Sequence, residues 1–101
     1  MARKSVINRN LKRIKESQKN KNKRLNLKRL IKDKTIDISQ RFEYVLELNK
    51  MPRDSSLSRV RSRCLITGRP RGCYRKLGIS RIELRRMVGF GLVPGIRKSS
   101  W

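Results

Sequence analysis

Positive charge is the property that most restricts what this chain can fold into. The 101 residues include 29 Lys and Arg against 7 Asp and Glu, a formal net charge of +22. Such a charge repels itself and opposes compaction. Leu, Ile, Val and Phe still supply 27 residues, so the composition is not that of a wholly disordered chain. We expect a small, thin core that becomes ordered on a polyanion.

The chain offers few groups for catalysis. It has no histidine, and its seven carboxylates do not cluster, so general acid–base chemistry has few candidates. Two cysteines are too few for a disulfide framework and fit a reducing, intracellular setting. No run of 18 apolar residues is present, which argues against a membrane span. The sequence therefore predicts no enzyme, no cofactor, no small-molecule substrate and no membrane partner.

The first half of the chain divides into two predicted helical segments. Residues 1–34 hold nine Lys and five Arg with thin apolar stripes, and predict one or two basic helices joined near residues 20–22. Their charge favours an RNA-binding arm over a solvated tail. Residues 35–51 predict a central amphipathic helix, capped by Asp37 or Ser39 and ended by Pro52. Its predicted face holds Phe42, Val45, Leu46 and Asn49, with Leu48 beside it, and must pack on the first helices or on a partner protein.

The second half, residues 52–101, is rich in arginine and glycine. It holds eleven Arg and two Lys against two acids, interleaved with Gly, Pro and Ser. Leu65-Ile66, a turn at residues 67–70 and Cys73-Tyr74 predict a short hairpin. Ser80 and Glu83 have capping-box spacing and open a short helix, which Gly89 or Gly91 ends. The predicted fold class is mainly α, small and irregular: basic N-terminal helices, a central helix, an Arg/Gly-rich hairpin-and-loop segment and a short C-terminal helix, extended and ordered on RNA.

Guanidinium groups on a bent backbone suit the phosphates of folded RNA. Such contacts set position and carry no base code. On an extended backbone, Arg59, Arg61 and Arg63 would lie on one side. Tyr74 could stack on a base or fill the core, and Trp101 is predicted to insert against RNA or a neighbouring protein. The predicted RNA-binding residues are Arg53, Arg59, Arg61, Arg63, Arg69, Arg71, Tyr74, Arg75, Lys76, Arg81, Arg97, Lys98 and Trp101.

Several of these motifs resemble a known family, that of the fourteenth protein of the small ribosomal subunit, of bacterial or organellar type. The matching segments are Pro52–Ser56, Arg63-Cys64, Thr67–Gly72, Tyr74–Arg81, Pro94-Gly95 and Lys98–Trp101. The resemblance implies a structural rRNA-binding protein in the head of the small subunit. It would bind the 3′ major domain near the decoding region, beside the third and tenth proteins. The compartment would be the plastid stroma, the mitochondrial matrix or the bacterial cytoplasm, and the Ala-Arg-Lys-Ser opening slightly favours a plastid.

The resemblance also implies that no metal is bound. A zinc-bearing branch of the family has two Cys-x-x-Cys pairs, whose positions here are Cys64, Thr67, Ser80 and Glu83. Only Cys64 offers a thiolate, and structural zinc sites use Cys and His almost throughout. Residues 52–101 therefore resemble the zinc-free branch, a compact rRNA-binding module that is the remnant of a zinc-ribbon-like fold. The capping box at Ser80 and Glu83 is a candidate replacement for the metal.

Two other classes of function remain as alternatives. One is a free RNA- or DNA-binding basic protein, although no helix-turn-helix, zinc-finger or basic-zipper pattern supports it. The other is a cationic membrane-active peptide, although the basic helices lack a wide apolar face.

Overall fold

The computed structural model describes residues 1–100, so the prediction for Trp101 lies outside the described residues. The described chain contains α1 (Lys4–Lys19), α2 (Lys21–Lys32), α3 (Ile38–Lys50), β1 (Cys73–Tyr74), β2 (Ile79–Ser80) and α4 (Arg81–Gly89). Two 3₁₀ turns, Arg53–Ser55 and Leu57–Arg59, follow α3. The predicted class, mainly α, small and irregular, is confirmed.

The chain forms two compact units. We call Met1–Ile7 together with the chain from Arg61 onward the arginine unit, and Asn8–Val60 the helical unit. The division of function among residues 1–34, 35–51 and 52–101 stays a prediction.

The basic amino-terminal region forms two helices, separated at one residue. Helix α1 ends at Lys19 and α2 begins at Lys21, within the predicted junction. The side-chain amide of Asn20 donates to the carbonyl of Glu16 at 3.0 Å, and the backbone N–H of Asn20 donates to the same oxygen at 3.2 Å. Asparagine competes well with helical backbone bonding in this way, which explains why the break falls here.

The central helix begins as predicted and packs through part of its predicted apolar face. The Asp37 carboxylate accepts from the backbone N–H of Ser39, and α3 packs against α2. Val45 and Leu48 are half-buried as expected, whereas Phe42 and Leu46 are 62% and 45% exposed. Arg41 and Tyr44 are also half-buried, because Arg and Tyr can pack their apolar stems while the polar tip stays in water. The alternative that a partner protein covers the exposed part of the face stays a prediction.

The hairpin of the arginine unit has a different partner strand from the predicted one. Strand β1 pairs antiparallel with β2, in the register Cys73↔Ser80 and Tyr74↔Ile79. Residues 65–67 form a turn, and Leu65 is 83% exposed. The pairing of Cys73-Tyr74 with Leu65-Ile66 was therefore wrong. The physical reason is that the backbone at residues 64–69 bonds to itself, which leaves no strand there.

Helix α4 has both ends defined by local chemistry. The Ser80 hydroxyl accepts from the backbone N–H of Glu83 at 3.3 Å, which confirms the predicted cap. At the other end, Gly91 has φ +68°, a left-handed conformation that glycine adopts without strain. The N–H of Gly91 bonds to the Val88 carbonyl, and that of Leu92 to the Met87 carbonyl. These two bonds form a Schellman motif, so Gly91 ends the helix.

The core is as small as the composition predicts. Among the described residues, the buried hydrophobic side chains are Leu27 in the helical unit and Cys64 in the arginine unit, 5% and 3% exposed. Each unit therefore depends strongly on hydrogen bonds and ion pairs.

Candidate nucleic-acid interface

The arginine unit is built around a tight loop at residues 64–69. The N–H of Cys64 donates to the Arg69 carbonyl at 2.9 Å, and the N–H of Gly68 donates to the Cys64 carbonyl at 2.9 Å. The N–H of Leu65 reaches the Gly78 carbonyl, also at 2.9 Å, and ties the loop to the end of the β1–β2 turn. These bonds therefore fix the backbone at the predicted RNA-binding residues Arg63 and Arg69.

The sulfur of Cys64 lies at the centre of this loop and accepts hydrogen bonds. Burial raises the pKa of the Cys64 thiol, but hydrogen bonds from the Thr67 side chain and from the N–H groups of Thr67, Ser80 and Ile66 lower it more. The pKa falls from 9.0 to about 6. A thiolate with several N–H donors is stabilised much as a carboxylate at a helix cap is.

Hydrogen bonds link the four positions that the sequence resemblance aligns with zinc ligands, namely Cys64, Thr67, Ser80 and Glu83. Thr67 and Ser80 donate to the Cys64 sulfur, and the Ser80 hydroxyl accepts from Glu83. The Glu83 carboxylate accepts from the Arg86 guanidinium at 2.7 Å. Donor groups around one sulfur therefore hold the loop, β2 and the start of α4 together. The Ser80 hydroxyl cap belongs to this set, but the other half of the predicted capping box does not form, because the Ser80 N–H donates to the Cys64 sulfur and the Glu83 carboxylate bonds to Arg86.

The first residues of the chain pack on the same loop. The N–H of Ala2 donates to the Thr67 carbonyl at 3.1 Å. Gly68 has φ +72°, and a Cβ there would lie 2.7 Å from Cδ1 of Ile7. That distance is shorter than any normal carbon contact, so only glycine permits this approach. The start of α1 thus belongs to the structure of the interface.

Three predicted arginines support the loop by donating to backbone carbonyls. Arg61 donates to Pro70 at 3.3 Å, and Arg63 donates to Gly68 at 3.0 Å. Arg69 donates to Arg71 at 3.1 Å. A carbonyl carries no formal charge, so these bonds do not themselves neutralise the guanidinium groups. The same side chains can therefore order the loop and attract phosphate.

Arg59 lies in a different unit from Arg61 and Arg63. It lies in the second 3₁₀ turn of the helical unit, so the expectation that all three share one extended side was wrong. Its Nε lies 3.1 Å from the Asp54 carboxylate, which Arg13 also approaches at 3.4 Å. The hydrogen bond from Arg59 is the main cause that lowers the pKa of Asp54. The backbone of residues 52–60 bonds locally to form the two 3₁₀ turns, so Arg59 is not on an extended segment.

Most of the remaining predicted residues are exposed. Tyr74 is 52% exposed, which favours the stacking interpretation over the core one. The exposed cations among the predicted residues are Arg53, Arg61, Arg71, Arg75, Lys76, Arg81, Arg97 and Lys98. All of them except Arg53 lie in the arginine unit.

A groove lies between α4 and the segment at residues 96–99. Its volume is about 910 Å³, and its floor includes Ile82, Val88 and Ile96. Phe90 and Tyr74 contribute aromatic rings to the same groove. Its cations are Arg81, Arg85, Arg86, Arg97 and Lys98. It therefore combines apolar surface with a dense positive rim.

The sequence reasoning missed Arg85, Arg86 and Phe90 as part of this surface. Arg85 stands four residues after Arg81, so both lie on one side of α4, which is a signal that could have been used. Phe90 was not identifiable, because its place beside Ile96 depends on how the chain turns back after Gly91.

The part of the chain that the structure describes holds no group of three or more His, Cys, Asp or Glu side chains suited to a metal ion. Within residues 1–100, no helix is both long and apolar enough to cross a membrane.

Comparison with known proteins gives consistent matches. A family described as "Ribosomal protein S14p/S29e" matches residues 47–100. The small ribosomal subunit protein uS14 of Ehrlichia chaffeensis is 58% identical over 101 residues, which cover 100% of both chains. The proteins of the same name from Anaplasma phagocytophilum and Rickettsia massiliae are 55% and 54% identical, also over 100% of both chains.

Proposed function

The chain belongs to the ribosomal protein S14p/S29e family, and from that membership we propose that it binds and shapes the rRNA in the head of the small subunit. The family is structural and non-enzymatic. The relatives are bacterial, so of the three predicted compartments the bacterial cytoplasm is supported, against the slight preference for a plastid. The finer assignment is to the 3′ major domain, near the decoding region.

One observation carries the RNA-binding proposal. The arginine unit has 13 Lys and Arg and a single acid, Glu83, whose carboxylate is held by Arg86. A folded surface with almost no compensating carboxylates requires an external polyanion to neutralise it. Folded RNA supplies phosphates in many directions, which suits arginines spread over loop, hairpin and helix.

The proposed contacts fall into two groups. Arg61, Arg63 and Arg69 position the loop and present charge beside it. Exposed side chains bind phosphate directly, and Arg can do so with two parallel hydrogen bonds. This second group consists of Arg53, Arg71, Arg75, Lys76, Arg81, Arg97 and Lys98. Trp101 and Arg59 remain predicted contacts.

The proposed protein neighbours are the third and tenth proteins of the subunit. An apolar stripe on α3 supports a protein contact: Ile38, Phe42 and Leu46, four residues apart, are 73%, 62% and 45% exposed. Large apolar side chains aligned on one helix face commonly mark a protein interface. Phe42→Ser should reduce cross-linking of α3 to these neighbours in the assembled subunit, while Gln40→Ala should not. Equal cross-linking in both variants would refute the contact.

A salt titration tests the RNA-binding proposal. The ligand is a transcript of the 3′ major domain, and the variant combines Arg71→Gln, Arg75→Gln and Lys76→Gln. Each phosphate contact removed should lower the log–log salt slope of binding by about 0.7–0.9. Arg71→Lys with Arg75→Lys should keep most of the slope but lose affinity, because Lys keeps the charge and loses the paired hydrogen bonds.

Lys50→Gln provides the control, since this exposed cation ends the central helix, for which no RNA contact is predicted. A parental slope in the triple Gln variant would show that these three cations do not contact phosphate. The search would then move to the Lys-rich helices of residues 1–34.

A further inference from the structure

We propose that the groove between α4 and residues 96–99 binds one unstacked nucleotide of the RNA, with its base against Phe90 and its phosphates on the basic rim. The inference rests on the proposed function and states what form of RNA this face takes. It assigns to Phe90 a role that phosphate binding alone does not require, and it adds Arg85 and Arg86 to the cations that meet phosphate.

The apolar floor is the first reason. Ile82 and Ile96 line the groove and are 53% and 43% exposed, and Val88 lies half-buried beside them. A phosphate backbone gains nothing from such a surface. A nucleobase does, because it has two apolar faces that prefer to leave water. The groove volume of about 910 Å³ falls in the usual range of small-ligand sites, roughly 300–1,000 Å³.

The aromatic rings are the second reason. Phe90 is 73% exposed directly after α4, and Tyr74 is 52% exposed on β1. An exposed phenylalanine gives up favourable burial unless a partner covers it. Stacking on a base covers the ring, and it tolerates any base because every base has a π-face.

The rim identifies the partner as RNA. Five cations and no Asp or Glu are among the described residues that line the groove, and one of these cations, Arg86, is paired with Glu83 of α4. The Lys98 ammonium reaches back over the helix, since a Cβ on Gly89 would lie 3.8 Å from its nitrogen. Positive groups thus face the groove from both α4 and the following segment. Phosphates on either side of a bound base would meet this charge.

An unpaired nucleotide fits this site and a paired one does not. In an A-form duplex both faces of each base are stacked, so no ring can reach them, and side chains contact mainly phosphate and ribose. In loops and bulges a base can leave the stack and lie on an aromatic side chain. The expected ligand is therefore a nucleotide in a loop or bulge of the head RNA.

Chemical probing of assembled small subunits tests the proposal. Subunits are prepared with the parent chain, with Phe90→Leu or with Phe90→Tyr, and the bases are probed with dimethyl sulfate, kethoxal and carbodiimide. Phe90→Leu keeps an apolar side chain but removes the ring, so one or two unpaired nucleotides should become at least about fivefold more reactive, in line with typical stacking strength. Phe90→Tyr keeps the ring and should protect them as the parent does.

Leu57→Ala is the matched control, since Leu57 is also 73% exposed but lies in the helical unit. It should leave the same nucleotides protected. A photoreactive phenylalanine analogue at position 90 gives a second readout, which remains informative if Phe90→Leu fails to assemble. Its cross-link to an unpaired nucleotide would support the proposal.

Two results would overturn the inference and leave the proposed function standing. One is parental reactivity of every base in Phe90→Leu subunits that retain the chain and its backbone footprint on RNA. The other is a cross-link from position 90 to an acidic segment of a neighbouring protein. If the parent chain protected no RNA at all, the proposed function would fail, and the nucleotide site with it.

Discussion

The two units carry positive charge in different ways. The helical unit has 16 Lys and Arg and six acids, and pairs them: Asp54 with Arg13 and Arg59, and Glu47 with Lys23. The arginine unit has 13 Lys and Arg and one acid. There, arginines donate to neutral carbonyls and keep their charge. This difference shows that ion pairs partly neutralise the helical unit, whereas the arginine unit depends on a bound polyanion to neutralise its charge.

The largest expected effect is a difference in salt response between the units of the free chain. At low salt the arginine unit should be poorly ordered, because repulsion acts over about 30 Å at 0.01 M salt and a few ångströms at 1 M. Hydrogen exchange should show protection at Cys64 and Gly78 rising with salt more steeply than protection within α2 and α3. Strong protection of the arginine unit at low salt would contradict the predicted difference between the two units.

A second prediction concerns the contact between Gly68 and Ile7. Gly68→Ala should destabilise the arginine unit by about 2–4 kcal/mol, because it adds left-handed strain and a clash with the Ile7 side chain. Gly95→Ala is the control, with φ +75° and nothing within 4 Å of the new methyl group. This control should lower the free energy of unfolding by about 1–2 kcal/mol, through left-handed backbone strain alone. Urea unfolding in sulfate, which screens charge, measures the free energy of unfolding of both variants. Equal losses of stability would show that the clash with Ile7 contributes nothing.

The cap of α4 should have a smaller effect. Ser80→Ala with Glu83→Ala should cost about 1–2 kcal/mol, because the variant loses the hydrogen bond at the start of the helix. Glu47→Ala, which removes an exposed ion pair with Lys23, should cost at most about 1 kcal/mol. Retention of each variant in assembled subunits is the second measurement. If the double variant and Glu47→Ala lost the same stability, the cap would stabilise the arginine unit no more than an exposed ion pair stabilises the helical unit.

The last prediction concerns the pH dependence of stability that Cys64 confers on the arginine unit. Its pKa in the folded protein is about 6, below the ordinary value of 9.0, so the folded state holds the thiolate more readily than the unfolded state does. The stabilisation is therefore fully present above pH 9 and is lost as pH falls through 6. Between these values, stability should rise by at most about 1.4 kcal/mol per pH unit.

Cys64→Ser should flatten this pH dependence in urea unfolding of the arginine unit, because a hydroxyl does not ionise in the range. Cys73→Ser provides the control at the other cysteine. An identical pH slope in the parent and Cys64→Ser would show that the thiol does not titrate as described.

The sequence predicted well those features that nearby residues determine. The break near Asn20 and the caps at Asp37 and Ser80 each depend on a side chain and a backbone group within four residues. The partner of β1 could not be predicted in this way, because Leu65-Ile66 and Ile79-Ser80 both suit a strand. What decides between them is the self-bonded loop around the Cys64 sulfur, which is a tertiary feature.

The candidate RNA-binding surface was likewise predictable only in part. Arginine-rich composition indicated RNA binding, but it did not separate Arg59, paired with Asp54, from Arg61. Nor did it reveal the groove, since Phe90 and Ile96 are brought together only by the turn after α4. The sequence also did not show which part of the predicted face of α3 packs within the helical unit, where Val45 and Leu48 are half-buried and Phe42 is exposed.

The contact of Ala2 and Ile7 with the loop at Thr67 and Gly68 has a consequence for how the protein is made. A ribosome synthesises Ile7 some sixty residues before Gly68, so the first turn of α1 lacks its partner until Gly68 has been made. The arginine unit can close only after that point, and closing it joins residues far apart in the chain, which slows folding. During that interval the helical unit, continuous in sequence, is free to form first.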